Sequence, residues 1–195
     1  MRKLLNVGGN SKEIPLPPQY RGFDHVLLDI DPQVLPDIVC DARELHTLQE
    51  AQFDAIYCSH NLEHYYRHDV SKVLSGFLHV LKSGGFAHIT VPDIHQVMRA
   101  TIDRGLDIDD VLYESVAGQI TVLDVLYGYS AEIERSGKEF FAHKTGFTQK
   151  SLATALKRAG FSKGYGMIGN LVVSTLSFKD EPDPEILTLF GIPNE

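Results

Sequence analysis

Four short apolar runs fall within the first sixty residues, and each stops at glycine, a carboxylate or another polar group. Residues 3–7 end at Gly8-Gly9-Asn10, residues 25–30 at Asp31-Pro32, residues 38–40 at Asp41-Ala42, and residues 53–58 at Ser59-His60-Asn61. A strand that alternates apolar and polar residues faces water on one side. A run without alternation is buried on both sides, which happens in parallel sheets covered by helices. The pattern therefore predicts an α/β chain with a doubly wound, mostly parallel sheet.

The helices that such a sheet needs follow. Val70, Val73, Leu74, Phe77, Leu78 and Leu81 recur at helical spacing, with Asp69 placed to cap the start and Gly84 the end. After Gly84-Gly85 a fifth strand is predicted over residues 86–91, stopped by Pro92. Strand, helix, strand in that order makes a right-handed βαβ crossover. Near the other end Thr148 precedes a stripe of Leu152, Ala155, Leu156 and Ala159 that closes at Gly160. Two further strands, residues 162–167 and 171–178, are separated by Ile168-Gly169-Asn170. So short a link implies an antiparallel pair. The expected sheet thus has seven strands, one of them antiparallel.

The remaining segments are less regular. Residues 11–21 hold Pro15, Pro17 and Pro18, which disfavour a helix there. Asp93 is expected to cap a helix bearing Ile94, Val97, Met98 and Thr101 on one face and ending near Gly105. A second helix is expected over residues 108–116. Residues 118–146 form a long connection carrying Tyr127, Tyr129, Phe140, Phe141, His143 and Lys144. Long connections in small domains serve as lids or binding loops. Residues 93–147 are accordingly read as a lid or substrate insertion within one domain, residues 1–180. Residues 181–195, with Pro182 and Pro184, are read as a surface tail.

Bulk properties narrow the function. A length of 195 residues suits one domain. The net charge of -8 disfavours a nucleic-acid backbone as partner. No apolar run approaches a membrane span of about 20 residues. Cys40 and Cys58 sit in apolar strands and read as free thiols of a reducing compartment, and the first residues lack a signal-peptide profile, so the expected location is cytoplasmic.

Open α/β sheets bind ligands at the carboxyl ends of their strands. Those ends carry Gly8-Gly9-Asn10, Asp29-Ile30-Asp31, Asp41-Ala42 and Ser59-His60-Asn61. Glycine lets backbone amides approach a ligand. Asp29, 21 residues after Gly8, is spaced to accept hydrogen bonds from ribose hydroxyls. Asp41 follows one strand later, in place to accept from an exocyclic amine. His60-Asn61-Leu62-Glu63-His64 matches a zinc-binding pattern, H-x-x-E-H. Zinc ligands at that spacing need a formed helix, and this motif begins directly after a strand. No metal is expected. Gly8-Gly9-Asn10-Ser11-Lys12-Glu13 fails the dinucleotide pattern G-x-G-x-x-G, which disfavours a nicotinamide-dependent oxidoreductase.

Six segments in order carry a resemblance: Leu5-Asn6-Val7-Gly8-Gly9-Asn10, Leu28-Asp29-Ile30-Asp31, Asp41-Ala42, Phe53-Asp54-Ala55-Ile56, Leu62-Glu63-His64, and Val80-Leu81-Lys82-Ser83-Gly84-Gly85. Together they resemble class I S-adenosylmethionine-dependent methyltransferases. The likeness is greatest to the small bacterial type 11 branch, whose later segments resemble Ala142-His143-Lys144-Thr145-Gly146-Phe147 and Ala159-Gly160-Phe161. The resemblance implies a Rossmann-like fold and S-adenosylmethionine as cofactor. It implies a cofactor wall of Asn6, Val7, Gly8, Gly9, Asn10, Asp29, Ile30, Asp41, Ala42, Ser59 and His60. Gly8 to Asn10 would face the methionine part, Asp29 the ribose, Asp41 and Ala42 the adenine, and Ser59 with His60 the sulfonium. His60 and His143 are the candidate catalytic bases. The acidic charge and short chain point to a small molecule or a saccharide as acceptor, and oligomeric state is not readable. The chain departs from the family in its glycine loop, where Asn10 and Lys12 replace glycines and Asn6 replaces an acidic residue. That departure leaves a second reading open, a non-catalytic partner or scaffold on the same fold.

Overall fold

The computed structural model describes residues 1–115 and 118–193. Seven strands form one sheet: β1 (Lys3–Val7), β2 (Asp24–Asp29), β3 (Ile38–Val39), β4 (Phe53–Ser59), β5 (Leu81–Pro92), and, at the far edge, β8 (Lys163–Gly169) and β9 (Val172–Phe178). Their order is β3-β2-β1-β4-β5-β9-β8. The first five are parallel, and β9 runs antiparallel to both its neighbours. This is the expected seven-stranded sheet with one antiparallel strand. Asn170 and Leu171, both at positive φ, make the two-residue link between β8 and β9, the backbone that tight hairpins require.

The chain winds outward from β1 in both directions, so β1 and β4 flank the switch point of strand order. The crevice at their carboxyl ends is where such sheets bind ligands.

Alternation along the strands makes two cores. Leu5, Val7, Ile56, Cys58, Ile89 and Val91 face one side, under α1 (Val70–Val80) and α5 (Gln149–Ala159). Thr148 and Ser151 form a reciprocal cap at the start of α5, and Gly160 ends it at φ 108°. Leu4, Ala55, Phe86, Leu176 and Phe178 face the other side. Between β1 and β2 this face receives no α-helix; the prolines leave only the 3-10 turn Pro18–Tyr20, whose Tyr20 is buried.

Several expectations need correction. α1 does not end at Gly84: Leu81 is already extended, and Gly84 turns within an irregularity that lets β5 start earlier, pairing Leu81 with Phe53. The helix from Asp93 is α2 (Ile94–Arg104), ended by Gly105, but Met98 is half exposed and Val97 alone of its apolar stripe is fully buried. The helix over residues 108–116 does not form. Val111–Ser115 is instead β6, made a strand by antiparallel pairing with β7 (Gly118–Thr121), and Asp107 and Asp110 close a turn immediately before it; Val116 lies outside the described residues. The connection 118–146 holds α3 (Val122–Tyr127) and α4 (Ser130–Ser136). With α2 and β6, α3 encloses a small core of Val97, Leu112, Val122 and Val125. The tail is not a surface arm. Asp183 caps α6 (Pro184–Leu189), with Pro184 in its first turn, and Ile186 and Leu187 bury against the second sheet face. Residues 194 and 195 of that tail lie outside the described residues. Among the described residues no helix is long and apolar enough to cross a membrane.

Candidate active site

A cavity of about 220 Å³ opens at the carboxyl edge of β1, β2 and β4. Val7, Gly8, Asn10, Asp29, Ile30, Asp41 and His60 all line it. Four elements distant in sequence thus place seven of the expected wall residues around one space. Gly8 turns at φ 69°, closed to other residues without strain, and its amide donates to the Leu28 carbonyl. Asp29 is buried, held by amides on both sides: Asn10 donates to Oδ2 at 3.2 Å and Asp31 to Oδ1 at 3.0 Å. A carboxylate oxygen accepts more than one bond, so the cavity side of Asp29 stays available to hydroxyls.

Asp41 is arranged differently. Arg43 donates to it from Nε and from its terminal nitrogen at 2.6–3.1 Å, and the Arg43 amide donates as well. Burial alone would raise this carboxyl, but the guanidinium bonds outweigh it and hold it below the usual range. Arg43 also reaches Asp69 at 3.6 Å.

The other wall residues stand back. Asn6 sends its amide to the opposite sheet face, 3.2 Å from His25 Nε2. Gly9 packs against that same Asn6 side chain. Ala42 is buried at the start of the 3-10 turn Ala42–Thr47, and Ser59 pairs with Thr90 in the β4–β5 ladder. His143 is absent from the cavity wall. Its ring meets the edge of His64 at 4.9 Å, and its Nδ1–H donates to the Val125 carbonyl at 2.9 Å.

The structure adds Tyr65, Tyr66 and Arg43 to the cavity wall, none of them singled out by the sequence, and brings Phe140, Phe141 and Lys144 of the expected binding loop onto it. That segment is drawn in by two backbone bonds, from Lys144 and Thr145 to the carbonyl of Glu63. It is also pinned by Lys138, which bonds Asp31 and Gln33. The Lys138 bond holds Asp31 below the usual carboxylate range. No periodicity marks such contacts, since they join residues about a hundred positions apart in sequence.

Comparison with known proteins agrees with this geometry. Residues 5–89, which run from within β1 to within β5, match the model of a methyltransferase domain. Over that stretch, somewhat under half of the chain, the sequence is similar to that family. No curated protein matches the sequence. Among solved structures, a SAM-dependent methyltransferase from Archaeoglobus fulgidus aligns with a TM-score of 0.58 at 15% identity, over 91% of this chain and 86% of that one. One from Methanosarcina mazei aligns with a TM-score of 0.54 at 15% identity, over 91% of each chain. The 1,6-didemethyltoxoflavin-N1-methyltransferase of Burkholderia thailandensis, solved with 1,6-didemethyltoxoflavin and S-adenosylhomocysteine, aligns with a TM-score of 0.54 at 16% identity, over 92% of this chain and 72% of that one. At such identities the likeness is one of fold. The cavity therefore lies at the switch point of the sheet that these structures share, with carboxylates from two neighbouring strand ends on its wall.

Among the described residues no group of three or more histidine, cysteine or carboxylate side chains is disposed to hold a metal ion.

Proposed function

We propose that this protein is a methyltransferase, which takes a methyl group from S-adenosylmethionine and delivers it in line to a small-molecule or saccharide acceptor. The observation that carries this reading is the convergence of Gly8, Asp29, Asp41 and His60 on one cavity at the strand ends. The donor set suits a nucleoside: Asp29 accepts from ribose hydroxyls, and Leu28, Ile30 and Val34 supply apolar surface for the base. Asp41, already bonded to Arg43, acts on the adenine side through a carboxylate kept ionised. Residues 93–147 serve as the acceptor-side insertion, with Phe140, Phe141 and Lys144 closing the cavity. A cavity of this size, roofed by aromatic rings, favours a small acceptor over a macromolecular one. The sulfonium is an activated methyl donor, so the protein's main task is positioning.

Calorimetry with S-adenosylhomocysteine tests this. The folded protein should bind it, and Asp29→Ala should weaken binding about tenfold or more through loss of a charge-assisted acceptor. Unchanged affinity in the variant would remove Asp29 from the site. Absence of binding by the wild type would remove the donor.

One observation favours the second reading, a non-catalytic partner. The space above Gly8 is filled by the Asn61 side chain, whose amide a Cβ at Gly8 would overlap. Lys12 does not fill the cavity; its ammonium pairs with Asp37. The same calorimetry separates the two readings.

A further inference from the structure

Glu63 stands out among the buried groups. Its side chain is 2% exposed, and neither carboxylate oxygen receives a well-formed hydrogen bond. A buried carboxylate without donors is costly, so its surroundings must supply positive charge. Three imidazoles surround it: His60 and His64 from its own turn, and His143 from the docked segment. Two of them are committed elsewhere. His64 Nδ1–H donates to the Ala142 carbonyl at 3.2 Å, and His143 Nδ1–H to the Val125 carbonyl at 2.9 Å. His60 differs. Its Nδ1 lies 3.5 Å from Glu63 Oε1, and half of its side chain is exposed on the cavity wall. Its backbone sits at φ 49°, a left-handed conformation unusual for a residue that is not glycine. Strain of that kind is kept where the surrounding structure imposes it, often at functional sites.

We propose that His60, oriented by Glu63, is the proton acceptor of this site, and that the methyl acceptor is therefore a hydroxyl or an N–H group. This rests on the methyltransferase reading above. In the step, a lone pair of the acceptor oxygen or nitrogen forms the new bond to the methyl carbon. The carbon–sulfur bond breaks with its electron pair going to sulfur, giving S-adenosylhomocysteine. The acceptor's proton passes to His60 Nε2, which has no protein partner among the described residues. The positive charge lost by the sulfonium reappears on the imidazolium, where Glu63 balances it. Glu63 is a positioning residue: it touches His60 and not the substrate.

The electrostatics agree. Burial disfavours the His60 imidazolium, but the adjacent Glu63 carboxylate outweighs it and raises the imidazole above its ordinary value. Burial pushes His143 down instead. The other titratable groups facing the pair are Cys58 beneath it, whose thiol burial holds far above its ordinary range, then His64, and Lys144 at the cavity rim.

The test needs no identified acceptor. S-adenosylmethionine carries a sulfonium charge that S-adenosylhomocysteine lacks, so only the former repels a protonated His60. Titration calorimetry of the full chain from pH 6 to 8, in buffers of different ionisation heat, should show proton release with S-adenosylmethionine alone. The affinity ratio of the two ligands should rise about tenfold over that range. His60→Gln, read against its own affinity for S-adenosylhomocysteine, should abolish both effects. Glu63→Gln should move the transition to lower pH, and Glu63→Asp should restore part of it. Equal pH dependence for both ligands in the wild type overturns the proposal, as does a His60→Gln variant that still releases the proton. An unmoved transition in Glu63→Gln overturns the role of Glu63. Failure to bind either ligand is a different result and overturns the donor reading itself.

Discussion

Gly8 illustrates how much one residue carries here. Its φ of 69° and the Asn61 amide above it leave no room for a side chain. Gly8→Ala would impose both a left-handed alanine and a displaced Asn61. The expected cost is roughly 1–3 kcal/mol, read as a lower urea midpoint, together with weakened S-adenosylhomocysteine binding. Native stability and affinity in the variant would show that Asn61 moves aside freely. Asp29 and Asp41 are alike in sequence position but not in surroundings. Asp29 is bonded by backbone amides, and Asp41 is taken up by Arg43. A carboxylate at a strand end was readable from the chain; its partner was not.

At the level of elements, the segment from α4 to Lys144 is the mobile candidate. It crosses the cavity with Phe140 and Phe141, and Lys138 ties it to Asp31 and Gln33 beyond the end of β2. Few apolar contacts hold it, since α4 buries no residue fully. Segments of that kind open more readily than a core. Lys138→Ala should therefore raise amide hydrogen exchange in α4 about fivefold, as expected for an ion pair worth about 1 kcal/mol, while exchange in β4 and β5 stays unchanged. Exchange that does not change in α4 would mean that the segment is held by something other than Lys138.

The whole molecule is a sheet with unequal faces. One carries α1 and α5; the other is closed by Tyr20, Tyr57, His88, Phe190 and α6. His88 is buried there, its Nδ1 3.1 Å from the Tyr20 hydroxyl, and desolvation lowers its pKa to about 4. In the unfolded chain it titrates near its ordinary value of 6.5. Between those values the unfolded state binds a proton that the folded state does not, so stability falls as pH drops from 6.5 towards 4. The loss from this group is on the order of 3 kcal/mol. In His88→Phe, denaturant midpoints should decline less over that interval than in the wild type. An identical decline would place the acid sensitivity elsewhere.

Much of this architecture was legible in the chain. Unbroken apolar runs marked the parallel strands, a 3.6-residue stripe with Thr148 and Gly160 marked α5, and the strand-end residues Gly8, Asp29, Asp41 and His60 marked the cavity. Each of these signals is local, set by neighbours within a few residues. Local signals also misled. Residues 108–116 and 181–195 were misread because Val111–Ser115 becomes a strand by pairing with β7, and Pro184–Leu189 a buried helix by finding an open sheet face. Both outcomes depend on partners outside the segment. The same holds for the site. Sequence alone placed glycines at the end of the first strand and a carboxylate or imidazole at the ends of the next three. Only tertiary structure decided that Arg43 occupies Asp41, that Asn61 covers Gly8, and that His143 arrives beside Glu63 without reaching the cavity. Burial and hydrogen-bond partners are properties of the assembled fold, and they set which of these groups can act.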